Sequence, residues 1–204
     1  MNKSEKLIEL KEKMEKDESL PLKKGAGGLV FGVGDPESEI LCIGEGPGYW
    51  EDQKGEPFVG QAGKLLDQLL VSINLDRTKV YITNVVHHRP PENRDPLPEE
   101  IAVYGKYLDE IINIIEPRVI LTLGRFSMAK FLPEARISSV HGKGSKVNWK
   151  GRKLVVVPMY HPAAALRNGE VMKQEKADFL GLPKVLNSFK EVAEKPQVEQ
   201  LNLI

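Results

Sequence analysis

The order of its short aliphatic runs constrains this chain more than any other feature. Ile40–Ile43, Val80–Thr83, Val119–Leu123 and Leu154–Pro158 are continuous apolar stretches, each succeeded by polar or glycine-bearing sequence. A strand buried on both faces reads this way, whereas a half-exposed one alternates. Between these runs the pattern lengthens to a helical period at Ala62–Ile73, Pro98–Ile115 and Arg125–Phe131, with a last helix near Glu175–Ala193. Such alternation specifies an α/β domain with a mostly parallel sheet. The segment SSVHGKGSKVNWKGRK reads as a small hairpin turning near Lys150 and Gly151. A chain of 204 residues with 41% apolar content can bury one sizeable core but is short for two. Residues 1–204 are therefore expected to form a single domain, with a peripheral charged helix over about 1–20 and a peripheral tail over about 195–204.

Several classes are excluded early. Lysine plus arginine and aspartate plus glutamate number 29 each, so no global positive field advertises nucleic acid, although a local patch still can. The start, MNKSEKLIELKEKMEKDESL, lacks the apolar centre and cleavage site of a signal peptide, and no apolar run reaches membrane-spanning length. A cytoplasmic protein is expected. The lone cysteine, Cys42, excludes an internal disulfide and any site needing several thiolates; it reads as a small buried side chain.

The chemistry lies immediately after each strand: GEGPG after the first, Asn84 and VVHHRPPENRDP after the second, Gly124 after the third, MYHPAAALRN after the fourth. In an open parallel sheet these positions share the carboxyl edge where ligands bind, so Glu45, Asn84 and His161 can meet. Singly, each signal is weak. GEGPG lacks the endings of phosphate and dinucleotide loops, and Pro47 removes an amide that such loops use. Glu45 and Glu51 fit working carboxylates as well as solvated or capping acids. A lone His161 is more often a satisfied histidine than a catalyst. His87 and His88 are adjacent on an extended segment and point to opposite sides, which argues against a metal pair. RPPENRDP is by itself a proline-stiffened loop. The combination carries the weight.

GEGPGYWEDQKGEPFVGQAGKLLD, TNVVHHRPPENRDPLPEEI, LTLG and MYHPAAALRN, in this order and spacing from about Leu29 to Leu186, closely resemble the family 4 uracil-DNA glycosylases. The resemblance implies a three-layer α/β/α domain, with a central mostly parallel four-stranded sheet flanked by helices, and hydrolysis of the bond joining uracil to deoxyribose in DNA. No nucleotide cofactor is implied. A base inside a duplex must be flipped into a pocket before it can be attacked. Phe58 can stack on the flipped ring, and the Asn84 amide offers one donor and one acceptor, matching uracil O4 and N3–H. The late motif places His161 at O2, where a neutral imidazole N–H stabilises growing negative charge, helped by amides around Gly46. The best-known uracil glycosylases align the attacking water with an aspartate where this chain has Gly46. Glu45 and Glu51 are the candidates to replace it, as base, water-positioning group or anion facing the sugar. Glu51 or Tyr49 is expected to crowd uracil C5 and exclude thymine. Leu166 is the expected wedge in the minor groove and Arg167 a phosphate contact. Lys143, Lys146, Lys150 and Lys153 are either further phosphate contacts or a solvated hairpin face.

The chain departs from the family where its members hold a four-iron, four-sulfur cluster on four cysteines. The matching positions are Asp17, Leu20, His88 and Tyr104, so no cluster is expected and Leu20 and Tyr104 are expected to pack in its place. Gln61 stands where the family commonly has arginine. The expected partner is uracil-containing DNA, met by a monomer with no membrane association; other repair partners are not specified. Two alternatives stand beside a metal-independent glycosylase: a binder of uracil-containing or damaged DNA without turnover, and a related glycosylase forming a covalent histidine adduct. The arginine-histidine insertion of the latter is absent.

Overall fold

The computed structural model describes residues 1–194. Six strands form one sheet: β1 (Val33–Gly34), β2 (Ile40–Gly44), β3 (Tyr81–Asn84), β4 (Val119–Leu123), β5 (Ser145–Trp149) and β6 (Arg152–Met159), in the order β1-β3-β2-β4-β6-β5. The four runs expected from sequence are the four central strands, and all of their pairings are parallel. Antiparallel edges extend this parallel centre on both sides, β1 along β3 and β5 along β6. The β5–β6 hairpin turns at Lys150 and Gly151 with positive φ at both (49° and 84°), the two-residue geometry that matches strand twist.

Eight α-helices are described: α1 (Lys3–Lys16), α2 (Tyr49–Lys54), α3 (Gln61–Val71), α4 (Pro98–Ile115), α5 (Arg125–Ala129), α6 (Ile137–Val140), α7 (Pro162–Arg167) and α8 (Gly169–Glu194). The alternation of buried side chains along the central strands sorts the core into two layers. Leu41, Ile43, Ile120 and Val156 pack with Tyr104, Leu108 and Ile112 of α4. Cys42, Leu121, Val157 and Met159 pack with Leu66 and Leu70 of α3 and Phe179 and Leu182 of α8. No described helix is long and apolar enough to cross a membrane.

The amino-terminal helix corrects one expectation. Its Leu7, Leu10 and Met14 are buried in the α4 layer, and Lys3 Nζ donates to the Ile115 carbonyl (2.8 Å), so α1 belongs to the core. Each buried side chain of this size contributes about 1.5–3 kcal/mol, more than a solvated appendage would gain. The tail expected over about 195–204 lies outside the described residues.

Candidate active site

The carboxyl ends of β2, β3, β4 and β6 converge on a cleft of about 470 Å³. Glu45 and Gly46, Phe58, Asn84 and His161 line it. Close backbone approach makes the meeting possible. Gly44 ends β2 opposite Asn84, and a Cβ there would stand 2.3 Å from Asn84 Oδ1 and 2.6 Å from the Phe58 ring. Any side chain at that position would evict the amide or the ring. Asn84 itself is 2% exposed. Phe58, 6% exposed, sits in left-handed backbone (φ 54°) with its ring stacked toward His161, centroids 5.7 Å apart. Left-handed φ at a bulky residue is uncommon and persists only when its surroundings over-determine it.

Glu51 supplies part of that determination. Its Oε1 accepts from the Val59 and Gly60 amides (2.9 and 2.8 Å), tying α2 to the Phe58 turn while the residue still lines the cleft. Glu45 is held differently. Its Oε1 accepts one long bond from Phe126 N–H (3.3 Å) at the start of α5, and Gly124 (φ 110°) has no Cβ to displace it, since one would lie 2.3 Å from that oxygen. Burial raises the Glu45 carboxyl above the ordinary range, against the lowering effect of Phe126 N–H and the Arg125 charge.

His161 caps α7. Its Nδ1 accepts from Ala163 N–H (3.1 Å), which puts the ring proton of the neutral form on Nε2. Burial brings its pKa down to about 4, the Arg167 charge adding to the fall and Glu51 opposing it. At neutral pH the ring is an uncharged N–H donor. Arg167 lines the mouth of the cleft, while Leu166 is 48% exposed and outside it.

Tyr49 does not line the cleft. It is 49% exposed, with Arg89 over its ring (5.3 Å to the centroid), so the residue expected against uracil C5 faces outward; of the pair proposed for that place only Glu51 lines the pocket. Of the four lysines read either as phosphate contacts or as a solvated hairpin face, the exposed Lys150 and Lys153 fit the second. Lys150 donates to Asp109 (2.6 Å) and Lys143 to the Ser139 carbonyl (3.0 Å), while Lys150 and Lys153 lie at the amino end of β6, across the sheet from the cleft. Sequence reasoning missed Tyr160 and the rim formed by Arg94, Asp95 and Arg125. The signal for that rim was the RPPENRDP loop: Glu100 binds Arg94 with both oxygens (2.6 and 2.8 Å) and the Leu97 amide (2.8 Å), and Asp95 pairs with Arg125.

Asp17, Leu20, His88 and Tyr104, the positions that the resemblance matches to cluster cysteines, are engaged in protein contacts. His88 Nδ1 bonds Tyr104 Oη (2.8 Å), Asp17 accepts from Tyr107 Oη (2.6 Å) and Lys106 (3.2 Å), and Leu20 is 2% exposed in the α4 layer. His87 faces Thr83 Oγ1 (3.2 Å). Among the described residues no group of three or more histidine, cysteine or acidic side chains is placed to hold a metal ion.

The family model of the uracil DNA glycosylase superfamily matches residues 31–180. Curated relatives agree. The chain is 48% identical over 164 residues to a type-4 uracil-DNA glycosylase of Archaeoglobus fulgidus, covering 78% of this chain and 82% of that one. It is 46% identical over 156 residues to a type-4 uracil-DNA glycosylase of Sulfurisphaera tokodaii (74% and 71%), and 42% identical over 165 residues to one of Thermotoga maritima (80% and 85%).

Proposed function

The chain belongs to the uracil DNA glycosylase superfamily, and from that premise we propose that it hydrolyses the N-glycosidic bond between uracil and deoxyribose in DNA, leaving an abasic site for base-excision repair. The observation that carries the reading is the cleft where a buried asparagine amide, an aromatic ring and a neutral histidine N–H meet.

In this reading the flipped uracil lies on Phe58 with its O4 and N3–H on the Asn84 amide. His161 Nε2–H donates to O2. As the N1–C1′ bond breaks, its electron pair passes to the uracil ring, and a fixed donor in a dry cleft stabilises that charge without reorganising. Water adds its oxygen to C1′ and gives up a proton, which the uracil anion takes as it leaves as the free base. Glu45 is the group we assign to hold that water, because its carboxylate keeps lone pairs that one long bond from Phe126 N–H leaves open. Glu51, with one oxygen spent on two amides, positions the Phe58 turn and walls the cleft near C5. Gly46 leaves its amide at the cleft, and Arg167 meets phosphate at its mouth, with Leu166 the wedge beside it.

We propose further that the chain holds no cluster and works in the cytoplasm as a monomer. The donor set at the cluster positions does not fit an iron–sulfur cluster: leucine offers no ligand, His88 Nδ1 is taken by Tyr104, and the only cysteine, Cys42, is fully buried in β2 with its thiol pushed up to about 12. No step passes through such a group. A buried thiol without a partner suits the cytoplasm. The scattering of exposed large apolar side chains over several elements suits a monomer.

The test is release of free uracil from uracil-containing oligonucleotides without added metal, followed by alkali cleavage, with iron measured in the same preparation. Uracil and abasic ends are expected, with no stoichiometric iron. Binding at enzyme excess without release would show a non-catalytic binder instead, and iron near four atoms per chain would overturn the cluster-free reading.

A further inference from the structure

Beside the cleft lies a surface that the reaction does not use. Tyr49 and Trp50 open α2 between Gly48 and Glu51, both of which line the cleft, yet the two aromatic side chains are 49% and 57% exposed. Their rings meet edge to face, centroids 5.2 Å apart. Arg89, from the loop that also carries Pro90 and Asn93 to the cleft, lies over the Tyr49 ring at 5.3 Å and gives its Nε–H to Asn93 Oδ1 (2.7 Å). On the other side, Trp50 Cδ1 stands 3.6 Å from where a Gly60 Cβ would be, so the indole rests on the end of the Phe58 turn. The result is a ledge of two aromatic rings and a guanidinium at the lip of the cleft.

We propose that the Tyr49–Trp50–Arg89 ledge is a stacking platform for the unpaired base next to the flipped nucleotide in single-stranded DNA. This inference rests on the glycosylase reading of the cleft. An exposed tryptophan beside a tyrosine is costly to leave in water, and a nucleobase is a flat partner that can cover it. In a duplex the neighbouring base stays paired and stacked, with no free face to offer. In a single strand that face is open, and base-on-aromatic stacking is tolerant of sequence because every base has one. Arg89 adds a positive charge for a phosphodiester crossing the ledge. The balance of charge over the whole chain, 29 against 29, supplies little of the nonspecific attraction on which basic DNA-binding proteins rely, so a contact that salt does not screen fits this chain. Leu166, exposed beyond the cleft mouth, has no π face and does not compete for this role.

The chain reports on its own ledge, because it has two tryptophans and the other, Trp149, is 8% exposed against Phe131. Titration with a uracil-free oligothymidylate is expected to quench the exposed emission, and Trp149→Phe is expected to keep that quenching. Trp50→Ala is expected to weaken oligothymidylate binding about tenfold or more, to raise KM on single-stranded uracil DNA more than on duplex, and to be rescued largely by Trp50→Tyr. Unquenched emission while a labelled oligothymidylate is bound overturns the proposal. So does an equal KM penalty on both substrates, or protection of the ledge by a protein partner but not by DNA. Quenching that persists in a protein releasing no uracil supports the ledge while overturning the glycosylase reading, whereas uracil release without quenching does the reverse.

Discussion

His161 and His88 lie in two corners of the molecule under the same electrostatic pressure, since burial brings both imidazoles down to about 4. They differ in what their nitrogens meet. His161 accepts a backbone N–H at Nδ1 and presents Nε2–H to an open cleft. At His88 the Nδ1 atom is matched by Tyr104 Oη, and the residue is 2% exposed. Burial alone therefore does not mark a working histidine. A donor held toward empty polar space can act on a ligand, and one whose partner is already in the protein can only hold the fold together. Substitutions at the cleft should then change rate and spare stability, while substitutions at the packed corner should do the opposite.

The largest effect is expected from Asn84→Asp. It replaces the amide proposed to donate to uracil O4 by negative charge beside an oxygen that would grow more negative as the bond breaks. Losing one donor from a preorganised site costs about 2.7–4 kcal/mol, on the order of a hundredfold or more in rate, and repulsion deepens the loss. Residual activity should tilt toward cytosine, whose N4 amine a carboxylate can accept. Single-turnover excision measured beside the melting temperature checks both halves: a parental rate would remove Asn84 from base reading, and a collapsed Tm would make the cleft part of the scaffold.

The sequence carried the frame of this comparison and lost its orientation. Pro98–Ile115 and Val119–Leu123 match the observed elements residue for residue, because proline at the first helical position and a continuous aliphatic run are local signals. The convergence of Glu45, Asn84 and His161 came from parallel strand order, a property of topology rather than of any one loop. Tyr49 went astray because α2 is only six residues long, too short for a periodicity that would say which side chains face the cleft. The two-residue β1 gives no pattern at all, and it forms because its neighbour β3 offers an unpaired edge. The burial of α1 was hidden by its charges: lysines and glutamates dominate its composition, while only three residues of its stripe reach the core.

Acid should strike both corners with the same sign. The folded pKa of His88 and of His161, about 4, lies below the ordinary 6.5, so between these values the unfolded chain holds protons that the native one refuses. Native stability is intact above pH 6.5 and falls as pH drops toward 4, by up to about 3 kcal/mol for each histidine. His87, brought to about 3 by complete burial, adds to the fall. Glu175 opposes it: fully buried, with its pKa raised to about 8, it favours the native state increasingly as pH falls from 8 to 4.5. Urea midpoints across pH 4 to 8 are expected to decline on the acid side, with both histidine rings titrating near 4 by NMR. A His161 ring that titrates near 6.5 would mean that water reaches the cleft freely, and the likeness between the corners would fail.

The smallest effect is the most discriminating. Tyr104→Phe keeps a fully buried ring against His87 and His88, centroids 6.0 and 5.8 Å away, and deletes the hydroxyl that bonds His88 and faces the Leu22 backbone N–H. A buried imidazole nitrogen left without its partner costs about 1–3 kcal/mol, which lowers the melting temperature by several degrees in a chain of this size. Excision per folded molecule should stay within about twofold, because His87 and His88, the rings packed against Tyr104, do not line the cleft. Adding His88→Leu should recover part of the loss, since it removes the imidazole nitrogen left unpaired, and the double-mutant cycle measures that coupling. The parallel pairing at the cleft, His161→Leu with Phe58 intact, should recover no activity at all. If Tyr104→Phe instead slows excision with an unchanged melting temperature, the packed corner is coupled to the cleft through Asn84 at the end of β3 and the loop that carries His87, and the division between the corners is wrong.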